Sequence, residues 1–91
     1  MILVKIGIQD GENEYYDWTH YENFNQTDYL EGKITDREML SEFWGQDFGD
    51  DDCFDKGSES YWLYTSCVWV SNVLNISEQD LKTLRQYGIL Y

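Results

Sequence analysis

The chain contains no proline, one histidine, two cysteines and six lysine or arginine residues. Each shortage excludes something. Without proline there is no Pro-rich recognition segment and no rigid linker. Cys53 and Cys67 are too few for a disulfide framework. With His20 they are the only soft ligands, and no CxxC or HxxxH spacing joins them, so no transition-metal site is expected. Six scattered bases make no positive groove. Direct binding to nucleic acid or to an anionic membrane is therefore opposed by repulsion.

Catalytic equipment is also missing. Nucleophilic chemistry needs a serine or cysteine with a base in reach, and nothing places His20 near either cysteine. There is no Gly-rich phosphate loop. Carboxylate pairs suited to acid–base work are nominally available anywhere among 18 acids, so they single nothing out. The expectation is a protein that is not an enzyme and carries no cofactor.

What is present is acid and aromatic carbon. The 91 residues carry a net charge of −12, and 16 of them are Phe, Trp or Tyr. Disordered acidic chains are poor in aromatics, so this chain should fold, as one domain over residues 1–91. The charge is unevenly placed. Residues 10–59 hold 16 of the 18 acids against Lys33, Arg37 and Lys56, whereas residues 60–91 are neutral overall. The acids sit in the middle of an otherwise near-neutral frame.

Residues 2–9, "ILVKIGIQ", place Ile2, Val4, Ile6 and Ile8 on one face at period two, a strand pattern. Asp10-Gly11 signals a hairpin, with the return strand at 14–21. A two-residue loop at Asp10-Gly11 would set Asp17 opposite Val4 on the apolar face. A three- or five-residue loop puts Tyr16 and Trp18 there instead, and the apolar pattern favours it. "NQTDYLEG" can hold one helical turn closed by Gly32. Thr35 is an N-cap with Glu38 as its capping-box partner, Ile34 and Met39 stand at the staple positions, and Gly45 is the stop. Met39, Leu40, Phe43 and Trp44 form that helix's apolar stripe.

Residues 60–77 carry no charge, but Ser60, Thr65, Ser66, Ser71, Asn72, Asn75 and Ser77 make them too polar for a spanning helix. Their Tyr, Trp and Val content suits strand, either one central strand over 60–74 or two strands broken near Thr65-Ser66. A last helix opens at Ser77, with Asp80 as box acid and an Ile76–Leu81 staple. Leu81 and Leu84 face inward, and Gly88 ends it. "ITDREM" and "ISEQDL" look like a repeat, but shared capping chemistry accounts for both. The fold expected is α+β in β-β-α-β-α order: a small antiparallel sheet of three to four strands with two helices packed on one face. Met1 leads straight into a strand without a basic n-region, so the expected setting is soluble and cytoplasmic, with reduced thiols.

The stretch "DFGDDDCFD", residues 47–55, invites two chemical readings. Its kinase-like DFG lacks the strand lysine, catalytic loop and Gly-rich loop that give that motif meaning. Calcium-loop spacing from Asp50 supplies Asp50 and Asp52 but then meets Phe54, Asp55 and Tyr61 where a ligand, a glycine and a glutamate are required. An irregular, weak calcium site through Asp50, Asp52 and Asp55 remains as an alternative; no specific metal site is expected. Stacking of single-stranded nucleic acid on the aromatics would need the missing positive groove.

The remaining reading is a carboxylate surface for a basic, nucleic-acid-binding protein. In size, charge and lack of catalytic residues the chain resembles the small acidic inhibitors that phages and mobile elements use against restriction or CRISPR machinery. That resemblance is compositional and carries no family motif. The candidate contacts are Glu12, Glu14 and Asp17 on the hairpin, Asp36, Glu38 and Glu42 on the first capped helix, and Asp47, Asp50, Asp51, Asp52, Asp55 and Glu59 in the loop. Phe48 and Phe54 are candidate aromatic anchors among them. A plainer role for the acids is solubility, since charge far from zero keeps an aromatic-rich domain apart. A structural reading uses strand 60–74 as an open edge for pairing, which would make a homodimer.

Overall fold

A computed structural model describes residues 1–45, 54–55, 60–63 and 66–90. Five antiparallel strands form one sheet in the order β2-β1-β5-β4-β3. The strands are β1 Ile2–Asp10, β2 Asn13–Tyr21, β3 Phe54–Asp55, β4 Ser60–Leu63 and β5 Ser66–Asn75, and β3 is only a two-residue bridge to β4. The helices are α1 Gln26–Leu30, α2 Asp36–Trp44 and α3 Glu78–Gln86. The fold is α+β and follows the β-β-α-β-α order. The short α1 is the single turn read from "NQTDYLEG". Among the described residues no helix is long and apolar enough to cross a membrane.

The helix ends behave as their capping residues dictate. Asn25, Thr35 and Ser77 each adopt extended backbone, and each side chain accepts a hydrogen bond from the N–H three residues on. Around Ser77 the box is complete, because the Asp80 carboxylate accepts from the Ser77 N–H. At Thr35 it is half made: the Glu38 carboxylate takes the threonine hydroxyl rather than the backbone N–H. Gly45 closes α2 in the left-handed region, where a side chain would be strained.

Two register details differ from the sequence reading. The β1–β2 turn is Gly11-Glu12, with Asp10 paired to Asn13, so Ile6 faces Asp17 and Val4 faces Thr19. The loop has two residues and starts one position later than Asp10-Gly11. Tyr16 and Trp18 therefore stand on the face opposite Ile2, Val4, Ile6 and Ile8. The apolar-pattern criterion failed because this sheet has apolar groups on both faces. The second detail is a bulge in β5. Lys5 pairs with Asn72 but Ile6 pairs with Val70, leaving Ser71 as an extra residue. A bulge reverses the alternation beyond it. Val73 therefore joins Val68 and Val70 on one face rather than Cys67 and Trp69 on the other.

Each face has its own core. On the first, Ile2, Val4, Ile6, Val68, Met39 and Leu40 are completely buried, with Ile34, Tyr61 and Val73 around them and Tyr29, Phe43 and Trp44 packed from α1 and α2. Full burial of each such aliphatic side chain stabilises by roughly 1.5–3 kcal/mol. On the second face Leu3 meets Leu81 of α3 and Leu90, with Met1, Trp18, Ile76 and Leu84 beside them. Helices α2 and α3 thus lie on opposite faces. Leu3 and Val4 are adjacent residues of β1 and point opposite ways, so each helix found its own apolar row.

The stretch 60–74 is two strands, β4 and β5, paired as a hairpin with Tyr61 opposite Val68 and Trp62 opposite Cys67. Strand β5 lies between β1 and β4 over Ser66–Val68, so that part of 60–74 is not an open pairing edge. Beyond the reach of β4, side chains meet the edge groups of Val73. The Val73 N–H donates to Asn72 Oδ1, the Val73 carbonyl accepts from Gln26 Nε2, and the Gln26 N–H donates to Asn75 Oδ1. Side chains that occupy edge groups in this way deny them to another strand.

Candidate functional site

The outer strand β2 and its turn carry Glu12, Glu14 and Asp17, all exposed, with Asp10 across the turn. Glu12 is at the tip. Glu14 and Asp17 are three residues apart on a strand, an odd separation, so they leave the sheet on opposite faces. Each carboxylate has a local partner: Glu14 accepts from the Tyr16 hydroxyl at 2.8 Å, and Asp17 accepts from the Trp18 N–H at 2.9 Å. The Tyr16 phenol is raised above its ordinary value by that bond to Glu14, then by burial and by the Glu14 charge. Among the described residues no ion pair reaches Asp10, Glu12, Glu14 or Asp17; the two present join Lys33 to Asp28 and Glu31.

The α2 acids stand over the first face. The Asp36 carboxylate accepts from the half-buried Tyr29 hydroxyl, and the Tyr29 phenol is raised chiefly by burial and then by Asp36. Glu38 belongs to the helix cap. Glu42 lies near Tyr21, whose phenol donates to the Met39 carbonyl and is pushed up to about 12 by burial and by the Glu42 charge. The six described candidate acids therefore do not form one plane. Glu12 and Asp17 share the hairpin edge, Glu14 turns to the second face, and Asp36 and Glu38 are engaged within the fold. Asp47, Phe48, Asp50, Asp51, Asp52 and Glu59 lie outside the described residues. Phe54 and Asp55 are described only as the backbone of β3. The same holds for the calcium reading of Asp50, Asp52 and Asp55; among the described residues no cluster of three metal-ligating side chains exists.

The second face holds a group that was not singled out from the sequence. Reading across β2, β1 and β5, one row is Trp18–Lys5–Asn72, the next Tyr16–Gly7–Trp69, and the next Glu14–Gln9–Cys67, with Trp62 of β4 beyond Cys67. Helix α3 covers the Leu3 end of this face. Among the described residues no element covers the other end, and Tyr16 and Trp62 are 44% and 45% exposed. Tyr16 and Trp69 meet edge to face with centroids 6.2 Å apart. Trp69 can lie across β1 only because residue 7 is glycine; a β-carbon there would overlap the indole Cε2 and Cζ2 and sit 2.6 Å from Nε1. The Lys5 ammonium rests 4.3 Å from the Tyr16 ring centre and 5.6 Å from that of Trp18. A cleft of about 260 Å³ lies beside Trp69, walled by Gln9, Glu14, Ser60 and Cys67. Cys67 is a free thiol whose Sγ is 2.8 Å from Ser60 Oγ. The sequence did hold one signal for this group: a lone glycine inside a strand marks close approach of another group.

Chemically, the described residues at the open end of this face offer aromatic surface, one carboxylate and amide or hydroxyl acceptors. It suits a cation far better than an anion. Comparison with protein-family models, with curated proteins and with solved structures finds no match.

Proposed function

We propose that the protein is a non-enzymatic, cytoplasmic binding module whose carboxylates occupy a basic, nucleic-acid-binding site on another protein. In kind it would act as the small acidic phage and mobile-element inhibitors of restriction or CRISPR machinery do, by imitating the charge of a polyanion. The observation that carries this reading is the β1–β2 hairpin. It projects four exposed carboxylates that no described base neutralises, on a chain of net charge −12. Lys5, the base on that hairpin, is turned onto Tyr16 and Trp18. Such a surface steers basic partners toward it and repels nucleic acid and anionic membrane.

The same acids have a plainer role, because β2 is an edge strand and charge on an edge discourages pairing. The two readings part experimentally. With the protein as bait in a bacterial lysate, the proposal expects capture of a nucleic-acid-binding protein. Affinity for that protein should fall by about tenfold or more between about 50 and about 200 mM salt, and duplex DNA should compete for the same site. Binding that is insensitive to salt, or that coexists with bound DNA, overturns it. Edge guarding alone expects no partner, and self-association once Glu12, Glu14 and Asp17 are neutralised.

A further inference from the structure

We infer that the open end of the second sheet face is a docking site for an arginine side chain of the basic partner, with Trp69 as its floor and Glu14 as its counter-charge. This deepens the proposed function and rests on it. The argument is one of charge and shape. A guanidinium is planar, weakly hydrated and stacks on aromatic faces, so it suits a flat indole beside a carboxylate better than a compact ammonium does. The cleft against Trp69, at about 260 Å³, is smaller than the roughly 300–1,000 Å³ of small-ligand pockets and fits a single long side chain. Among the described residues of its wall Glu14 is the charged one, and Gln9 adds an amide oxygen that can accept from the fork. Lys5 already holds a cation over the neighbouring Tyr16 at 4.3 Å, so these rings attract positive charge within the molecule itself. Gly7 is what makes the floor, since any side chain there would lift the indole off β1.

The test uses the intact chain and three nine-residue probes: all-arginine, all-lysine and all-citrulline, the last matching arginine in shape without its charge. Binding is followed by titration and by the NMR signals of the four indole N–H groups. The expected result is arginine over lysine by about three-fold or more, no binding of citrulline, and the largest displacement at the Trp69 indole. Glu14→Gln, an exposed change that keeps the fold, and Trp69→Leu should each weaken nona-arginine by about three-fold or more. Should Trp69→Leu fail to fold, Glu14→Gln and the indole map on the unaltered protein still decide.

Equal affinity for arginine and lysine peptides overturns the inference, as does full affinity in both variants with the Trp69 signal unmoved. If Glu12→Lys with Asp17→Lys abolishes binding while both site variants bind normally, the hairpin reading stands and the arginine site falls. No binding of either cationic peptide overturns both.

Discussion

Replacing Gly7 by alanine should destabilise the protein, although glycine is ordinarily the worse residue in a strand. Removing a strand glycine gains about 0.5–1 kcal/mol from the unfolded chain's lost freedom. Here the new methyl falls on the Trp69 indole, on atoms of the fused ring system rather than on a flexible tip. The indole has to tilt away, which costs it the contact with β1 and its edge-to-face geometry with Tyr16. Overpacking of this kind costs about 1–3 kcal/mol. The clash wins, and the net loss is about 1–2 kcal/mol. For a domain of this size that lowers the midpoint of thermal unfolding by roughly 5–15 °C. Denaturant unfolding followed by circular dichroism measures it, with Trp69→Ala and the double variant completing a cycle. Once the indole is gone, Gly7→Ala should be neutral or stabilising, giving a coupling of about 1–3 kcal/mol. A Gly7→Ala protein as stable as the original, or additive effects in the double variant, would refute the reasoning.

Four further outcomes are expected. Ser77→Ala breaks a complete capping box and should cost about 1 kcal/mol in denaturant unfolding, and an unchanged midpoint would count against the cap. Asp80 adds a pH signature. Its carboxyl is held below the ordinary value chiefly by the Ser77 N–H, so its stabilisation is full above about pH 4 and is lost as the pH falls through the lowered value; Asp80→Asn should remove that part of the acid sensitivity. Tyr21 works in the opposite direction. With its phenol pushed up to about 12, its contribution is full below about pH 10 and disappears as the pH rises through the folded value, so Tyr21→Phe should flatten alkaline unfolding above about pH 10. Gln26→Ala strips the donor from the nearly buried Val73 carbonyl and should cost about 1 kcal/mol, read from the denaturant midpoint.

Local chemistry made the helices legible. Thr35 and Ser77 start them because a side-chain oxygen satisfies an N–H that nothing else reaches, and Gly45 stops α2 because its backbone turns left-handed. These signals act over three or four residues and need no knowledge of the rest of the fold. The strand faces required more. One turn displaced to Gly11-Glu12 and one extra residue at Ser71 were enough to move Tyr16, Trp18 and Val73 across the sheet. Neither is visible when both faces can bury apolar groups, since the pattern then accepts either register. The hairpin acids were legible as acids, but their directions were not, because a slip of one residue reverses each of them. The aromatic group was missed for the same reason. Trp69, Tyr16 and Lys5 belong to three different strand segments, and only the pairing register brings them into neighbouring rows.

Lys5 gives the aromatic face a threshold. Its ammonium is tethered by its own chain next to the rings it covers, and such a tether acts like a ligand present at roughly millimolar concentration. A free amine or metal ion arriving from the cell's solutes competes against that resident on unfavourable terms. What can prevail is a group that brings several contacts at once and approaches from the Trp69 side, where Lys5 does not reach. Under the arginine-docking proposal, a lysine that looks like a blemish on an acidic surface acts as a filter against trivial occupants.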